Sequence, residues 1–303
     1  MIDLYTWPTP NGRKVHIMLE ETGLPYTVHA VDTRAGEQFK PEFLKISPNN
    51  KIPAIIDRNG PGDKPFALFE SGAILIYLAE KSGKYLPYEP AGKYTTLQWL
   101  MFQMSGVGPM FGQAGHFRSY AKETYQYSID RYTNEVNRLH KVMNEQLGKT
   151  AYLAGNKYTI ADIATWPWII NPERRGVDMA LYPHVQRWFE EILARPAVQR
   201  GLALLDDKRK AHDRELTETE RDILFGTSQR MQVAKGKAAY PSRSFPRRRE
   251  SITQSHMRFR MHSRFRGNDG IDLVREAGAP LLQHVTRHRL LNQFVRIGGQ
   301  QKP

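Results

Sequence analysis

Between an apolar run, I-D-L-Y-T-W, and a helical pattern with Val15, Met18 and Leu19 on one face lies a polar stretch, T-P-N-G-R-K, Thr9 to Lys14. A loop that leads from a strand into a helix is where redox proteins keep a reactive cysteine pair. This loop has none, and neither has the rest of the 303-residue chain. The lack of cysteine excludes disulfides, thiolate metal sites and a cysteine nucleophile. If thiol chemistry happens here, the sulfur must come from a ligand. What the stretch does offer is donors: the Asn11 carboxamide, the Thr9 hydroxyl and the free N–H groups at the start of the helix. Donors beside a thiol favour its ionised form and raise the thiolate fraction at neutral pH. A plainer role for Asn11 is to cap a helix that begins at Gly12, since Asn-Gly is good turn chemistry. Tyr5 is the other hydroxyl nearby, but it lies inside the apolar run and reads as core.

Those residues need elements to hold them. Ile2 to Trp7 reads as a strand, followed by a helix from Asn11-Gly12 to Gly23, where glycine suits the C-cap and Pro25 acts as a stop. Tyr26 to Val31 has the β-branched content of a second strand. A short amphipathic piece, Pro41 to Ile46, precedes a third strand over Ile52 to Ile56, with Pro53 at its start, where it donates no ladder bond. The turn R-N-G-P-G-D-K makes a hairpin with Phe66 to Phe69. Glu70-Ser71-Gly72 then opens a helix with Ile74, Leu75 and Leu78 on one face and Ser71 as N-cap. After Gly83 the strand signals stop. Gly106, Gly108 and Pro109 are expected to bend or interrupt a helix carrying Leu97, Leu100, Met101 and Met104. Ile129, Tyr132, Val136, Leu139, Met143 and Leu147 recur at helical steps. Thr159 and Asp162 form a capping box, with Tyr158 and Ile163 as a hydrophobic staple. A last helix runs from about Val185 to Ala194 and stops before Pro196. The order is β-α-β-α-β-β-α, then helices only.

The net charge of +13 is uneven: residues 1–233 carry 29 Lys/Arg against 27 Asp/Glu, so the excess sits on residues 234–303 with 15 against 4. The body is close to neutral, and its composition gives no reason to expect nucleic-acid binding. No apolar run approaches the roughly 20 residues a bilayer-crossing helix needs. The start, M-I-D-L, has no basic region ahead of an apolar segment, so no secretory leader and a cytoplasmic location are expected.

A small β-α-β-α-β-β-α domain followed by helices resembles the glutathione transferases. The I-P-A strand entry, E-S-G-A-I-L-I-Y-L, T-I-A-D-I-A and A-R-P-A-V all match that family, over about residues 1–205. More narrowly, T-P-N-G-x-K, the block from Gln38 through S-P-N-N-K-I-P-A-I, and L-F-E-S-G-A-I-L resemble the bacterial Nu class, whose members are glutathione-dependent disulfide-bond reductases. The resemblance implies a thioredoxin-like α/β domain over 1–84, an all-α domain over 90–205 and a homodimer. It implies that a cis Ile52–Pro53 peptide turns the Ile52 backbone toward the cysteinyl part of glutathione. It implies that Ser71 and its N–H hold the γ-glutamyl carboxylate, which the helix dipole also favours, and that Glu70 accepts from the ligand amine. Gln38 and Lys51 would reach the glycyl end. Asn11 and Thr9 would activate the glutathione thiol in place of a protein nucleophile. Gln98 and Arg131 match further ligand contacts of the class, although Arg131 could instead pair with Glu135 one helical turn on. The expected partners are glutathione and a small or protein disulfide, with no metal and no membrane. Two other functions remain on the sequence alone: conjugation of electrophiles, or a non-catalytic interaction protein of the same fold.

Residues 206–303 lie outside the resemblance. L-T-E-T-E-R-D-I-L is charged and helical in pattern. Further on, S-F-P-R-R-R-E-S and S-R-F-R-G-N-D can be written from the two arms of one inverted DNA repeat, which suggests a translated intergenic element. The basic composition from about 233 onward is that of a largely disordered extension. Repeated R-F-R also fits a single-stranded nucleic-acid reading. His284 and His288 are spaced for zinc, but no third ligand is in view.

Overall fold

A computed structural model describes residues 1–211 and 214–226; the repeat-like segments and the His284/His288 pair lie outside the described residues. Four strands, β1 (Ile2–Thr6), β2 (Tyr26–Ala30), β3 (Ala54–Asp57) and β4 (Phe66–Phe69), form one mixed sheet in the order β2-β1-β3-β4. β1 runs parallel to β2 and antiparallel to β3, and β3 runs antiparallel to β4. Two long helices, α1 (Pro10–Thr22) and α3 (Ser71–Ser82), pack on each other, and a short α2 (Pro41–Leu44) lies between β2 and β3. Leu4, Ile55, Val15, Met18, Leu19, Leu75 and Leu78 are buried together between them. Gly23 ends α1 in the left-handed conformation, where its N–H reaches the Leu19 carbonyl.

The rest is helical: α4 (Pro90–Phe102), α5 (Gly108–Ser119), α6 (Gln126–Leu147), α7 (Ile160–Thr165), α8 (Pro183–Leu193), α9 (Pro196–Ala203), α10 (Asp206–Ala211) and α11 (Glu218–Phe225). A π-helical turn over Gln103–Val107 joins α4 to α5, so the α-helix is interrupted near Gly106, Gly108 and Pro109 by one widened turn. α8 stops before Pro196 as expected, but it is not the last helix. Pro196 occupies the first turn of α9, where its missing N–H costs nothing. α9 lies close on α1, and a Cβ at Gly201 would approach the Ile17 backbone to 3.0 Å. The Thr159–Asp162 capping box is present at the start of α7. The charged stretch after 214 forms α11 with its own capping box, Thr217 and Glu220, and Phe225 packs its ring on His116 and Tyr120 of the α5 end.

Two helix starts differ from the sequence reading. α1 begins at Pro10, not Gly12, and its cap is Thr9, whose hydroxyl oxygen accepts from the Gly12 N–H at 3.2 Å. Proline pre-set for the first turn moves the start two residues upstream, which leaves Asn11 inside the helix and frees it from capping. α3 has Glu70, not Ser71, in the cap position; Ser71 is its first helical residue, and no side chain caps it.

Candidate active site

Sheet register gathers the candidate residues. Tyr5 faces Ala54, Ala54 faces Phe69, and Thr6 faces Ala30. The ends of β1, β2 and β4 and the start of β3 therefore lie at one edge. The segments just beyond them are the Trp7–Asn11 turn, the Gln38 turn, Ile52–Pro53 and Glu70–Ser71. That edge also presents the N-termini of α1 and α3, two positive dipole ends with unsatisfied N–H groups.

The α1 entry is tight. A Cβ on Gly12 would run into the Trp7 carbonyl, so only glycine lets the helix start this close to the strand end. Thr9 accepts from Gly12 and keeps its own O–H to donate. The Asn11 Oδ1 accepts from the indole Nε1–H of Trp168 at 3.3 Å. With its oxygen engaged, the carboxamide presents its Nδ2 hydrogens as donors. Trp168 in turn lies along α5, where Cβ atoms at Gly108 and Gly112 would touch its ring at 3.7 and 3.8 Å. The Arg175 guanidinium sits 5.9 Å from the centre of the Trp168 ring and donates to the Ile170 carbonyl. Tyr5 plays no part here; it stacks on His29, with ring centres 4.6 Å apart.

The Ile52–Pro53 peptide is cis. Ile52 lies just outside the ladder, which begins at Ala54. Glu70 has φ 71° and ψ 110°, a region that side-chain-bearing residues rarely occupy and that costs of order 1–3 kcal/mol. Such backbone persists where the surroundings impose it, and here it sets a carboxylate at the mouth of α3. Ser71 is buried, and its Oγ accepts from the Lys14 ammonium at 3.2 Å. Gln38 is buried as well; its Nε2 donates to the Thr33 carbonyl at 3.1 Å, while its Oε1 has no partner. Lys51 is exposed, and its carbonyl accepts from Ser47 at 2.8 Å. Gln98 on α4 and Arg131 on α6 are exposed, and no hydrogen bond or ion pair joins them to this edge. The alternative pairing of Arg131 with Glu135 does not form: Glu135 holds Arg138 in a two-point contact at 2.8 Å. No group of three or more His, Asp or Glu able to hold a metal gathers among the described residues, and none of their helices is long and apolar enough to cross a membrane.

Trp168 and Lys14 touch the candidate residues Asn11 and Ser71, and sequence reasoning passed over both. Lys14 did leave a signal, since it falls three and four residues before the buried Ile17 and Met18 and so on the apolar side of α1. Trp168 left none, because 157 residues separate it from Asn11.

This sheet, with two anion-favouring helix starts at one edge and a helical region following it, is that of the glutathione S-transferases, and the chain belongs to that family. Family models match it as "Glutathione S-transferase, N-terminal domain" over residues 9–81 and "Glutathione S-transferase, C-terminal domain" over 102–196. Among relatives, it is 51% identical over 212 residues to the disulfide-bond oxidoreductase YfcG of Escherichia coli, covering 69% of this chain and 99% of that protein. It is 44% identical to the disulfide-bond oxidoreductase YghU of the same organism, covering 66% of this chain and 73% of the relative. Its fold matches a glutathione transferase family member from Pseudomonas fluorescens with two glutathione molecules bound, at 55% identity and TM-score 0.64, over 66% of this chain and 92% of the other. A Pseudomonas putida glutathione transferase with one glutathione disulfide bound per subunit matches at 52% identity and TM-score 0.63, over 66% and 90% of the two chains.

Proposed function

We propose that the protein is a glutathione-dependent disulfide-bond oxidoreductase of the cytoplasm. The observation that carries this reading is the Asn11 carboxamide, fixed as a donor by Trp168 at the start of α1 in a chain without cysteine. A site of this kind stabilises a thiolate it does not own. Ser71 and the α3 N-terminus receive the γ-glutamyl carboxylate, Glu70 its amine, Ile52 the cysteinyl backbone, and Gln38 and Lys51 the glycyl end. The unpartnered Oε1 of Gln38 and the buried charge behind Ser71 suit a ligand with both donors and carboxylates. The thiolate attacks one sulfur of the substrate disulfide, a new S–S bond forms, and the other half leaves as a thiolate. A second glutathione thiolate then attacks the glutathione sulfur of that mixed disulfide. Two glutathione thiols are thereby oxidised to one glutathione disulfide, and the substrate takes up two electrons and two protons. Gln98 and Arg131 are assigned to the second glutathione, whose carboxylates need a cation.

Turnover of hydroxyethyl disulfide, set against conjugation of a chloro-nitrobenzene, tests the reading. Fast disulfide reduction with slow conjugation is expected. The reverse would make the protein a conjugating transferase, and failure to bind glutathione-agarose would leave only an interaction protein.

Trp168→Phe should lower disulfide turnover roughly tenfold, about the worth of one hydrogen bond at a charged centre. Ultraviolet absorbance of the bound thiolate should fall with it, because the released carboxamide can rotate its oxygen toward the sulfur. Unchanged thiolate absorbance would show that the indole only packs.

The reading also assigns a homodimer to the body, residues 1–84 and 90–205, with the segment after 205 as an appendage. Tyr94 and Met101 are 70% and 48% exposed and share one face of α4 with Gln98, an apolar surface suited to a second copy. A chain ending at Gln232 is expected to elute as a dimer from gel filtration and to keep the parent's disulfide turnover. An active monomer would refute the dimer, and an inactive chain would show that the remaining residues serve the body.

A further inference from the structure

Lys14 is a buried cation with no anion beside it. Its side chain is 1% exposed, enclosed between α1, α3 and the π-helical turn. Its Nζ donates to Gln103 Oε1 at 2.7 Å, to Ser71 Oγ at 3.2 Å and to Met104 Sδ at 3.4 Å. None of these is charged. From α3, Glu70 acts on it through space, but no carboxylate comes within ion-pair distance among the described residues. An ammonium in such a place is costly unless something compensates it. Burial pulls Lys14 down to about 7, with Glu70 opposing. The surroundings are nonetheless built to hold the charge. The π turn carries Gln103 back to α1, and a Cβ at Gly108 would crowd the Gln103 amide at 3.0 Å. Gln103 spends its oxygen on Lys14 and leaves its own Nε2 buried without a partner. Lys14 also lies directly behind the first residue of α3, whose N-terminus is itself a positive dipole end. Two positive ends thus meet at one serine hydroxyl, and both favour an anion bound at Ser71.

We propose that Lys14 is the buried counter-charge for the carboxylate received at Ser71, so that occupation of this subsite draws a proton onto Lys14. The inference rests on the reading above, in which that carboxylate is the γ-glutamyl one. Lys14 touches the serine and not the ligand, and is a positioning residue. Its coupling has a definite sign: an anion raises the affinity of Lys14 for a proton, so binding at mildly alkaline pH takes up protons and weakens as pH rises further.

Calorimetric titration of the full chain with S-methylglutathione at pH 8, in phosphate and in Tris, reads this directly, since a ligand without a thiol has no thiol proton to release. The expected result is uptake on the order of one proton per subunit, lost in Lys14→Met while some binding persists. The analogue lacking the γ-glutamyl α-carboxylate, S-methyl-(4-aminobutyryl)cysteinylglycine, should bind the unaltered chain more weakly and without that uptake, which tests the proposal even if Lys14→Met does not fold. Binding of S-methylglutathione without proton uptake, or equal uptake with the analogue or with Lys14→Met, overturns the proposal and leaves the glutathione reading standing. No binding of S-methylglutathione at any pH overturns both.

Discussion

Asn11→Ala is expected to lower disulfide turnover by ~10²–10³-fold, the effect of removing one oriented donor from a developing or fixed anion. The side chain lies in the first turn of α1, its oxygen is held by Trp168 at 3.3 Å, and its nitrogen is left to donate. Nothing in the fold depends on it as a cap, because Thr9 performs that role. The variant should therefore melt close to the parent temperature and still bind glutathione through Ser71, Ile52 and Gln38. The loss should fall on turnover at saturating glutathione and on the bound thiolate fraction. Thr9→Ala should cost less in turnover, because a hydroxyl that accepts from Gly12 is only a second donor, and should cost about 1 kcal/mol in stability through the lost cap. Undiminished turnover in Asn11→Ala at saturating glutathione would remove Asn11 from the chemistry.

Asp162→Ala should destabilise the protein by ~3–5 kcal/mol, because it removes the shared acceptor of four buried neutral donors and each donor left unpaired costs ~1–3 kcal/mol. The Asp162 carboxylate is 0% exposed and accepts from four donors in three separate segments. These are the Leu153 N–H at 2.9 Å, the Trp188 indole at 2.9 Å, and the Thr159 N–H and hydroxyl at 3.0 and 3.1 Å. Burial pushes the carboxyl up to about 6 although all four donors pull it down. Alanine would leave those donors without partners inside the core, beside Trp166 and Ile163. Against a total stability of ~5–15 kcal/mol, that loss takes a large share of the margin. Asp162→Asn keeps one acceptor and should lose less. Denaturant midpoints of the three proteins provide the check; a change under ~1 kcal/mol in Asp162→Ala would mean that water replaces the carboxylate.

These two residues mark how far the sequence reaches. Asp162 was legible because its box is local: Thr159 and Asp162 sit three apart, and their pattern is set by the free N–H groups of one helix start. The same holds for Gly23 closing α1, for the hairpin turn between β3 and β4, and for the alternation of strands and helices, each written within a dozen residues. The donors Thr9 and Asn11, the Ile52–Pro53 entry and the Glu70–Ser71 helix start were legible as types. The sequence by itself did not decide what those types do. Proline at the first turn made Thr9 the cap and left Asn11 free. The indole that engages the Asn11 oxygen comes from just after α7, at a distance along the chain where no periodicity carries information. Lys14 falls on the apolar side of α1 in the sequence, but only α3 and the π turn, closing over it, bury its charge. Chain order fixes local hydrogen bonds and periodic faces; which charge is buried, and which amide is turned, depends on surfaces that meet only after the elements have packed.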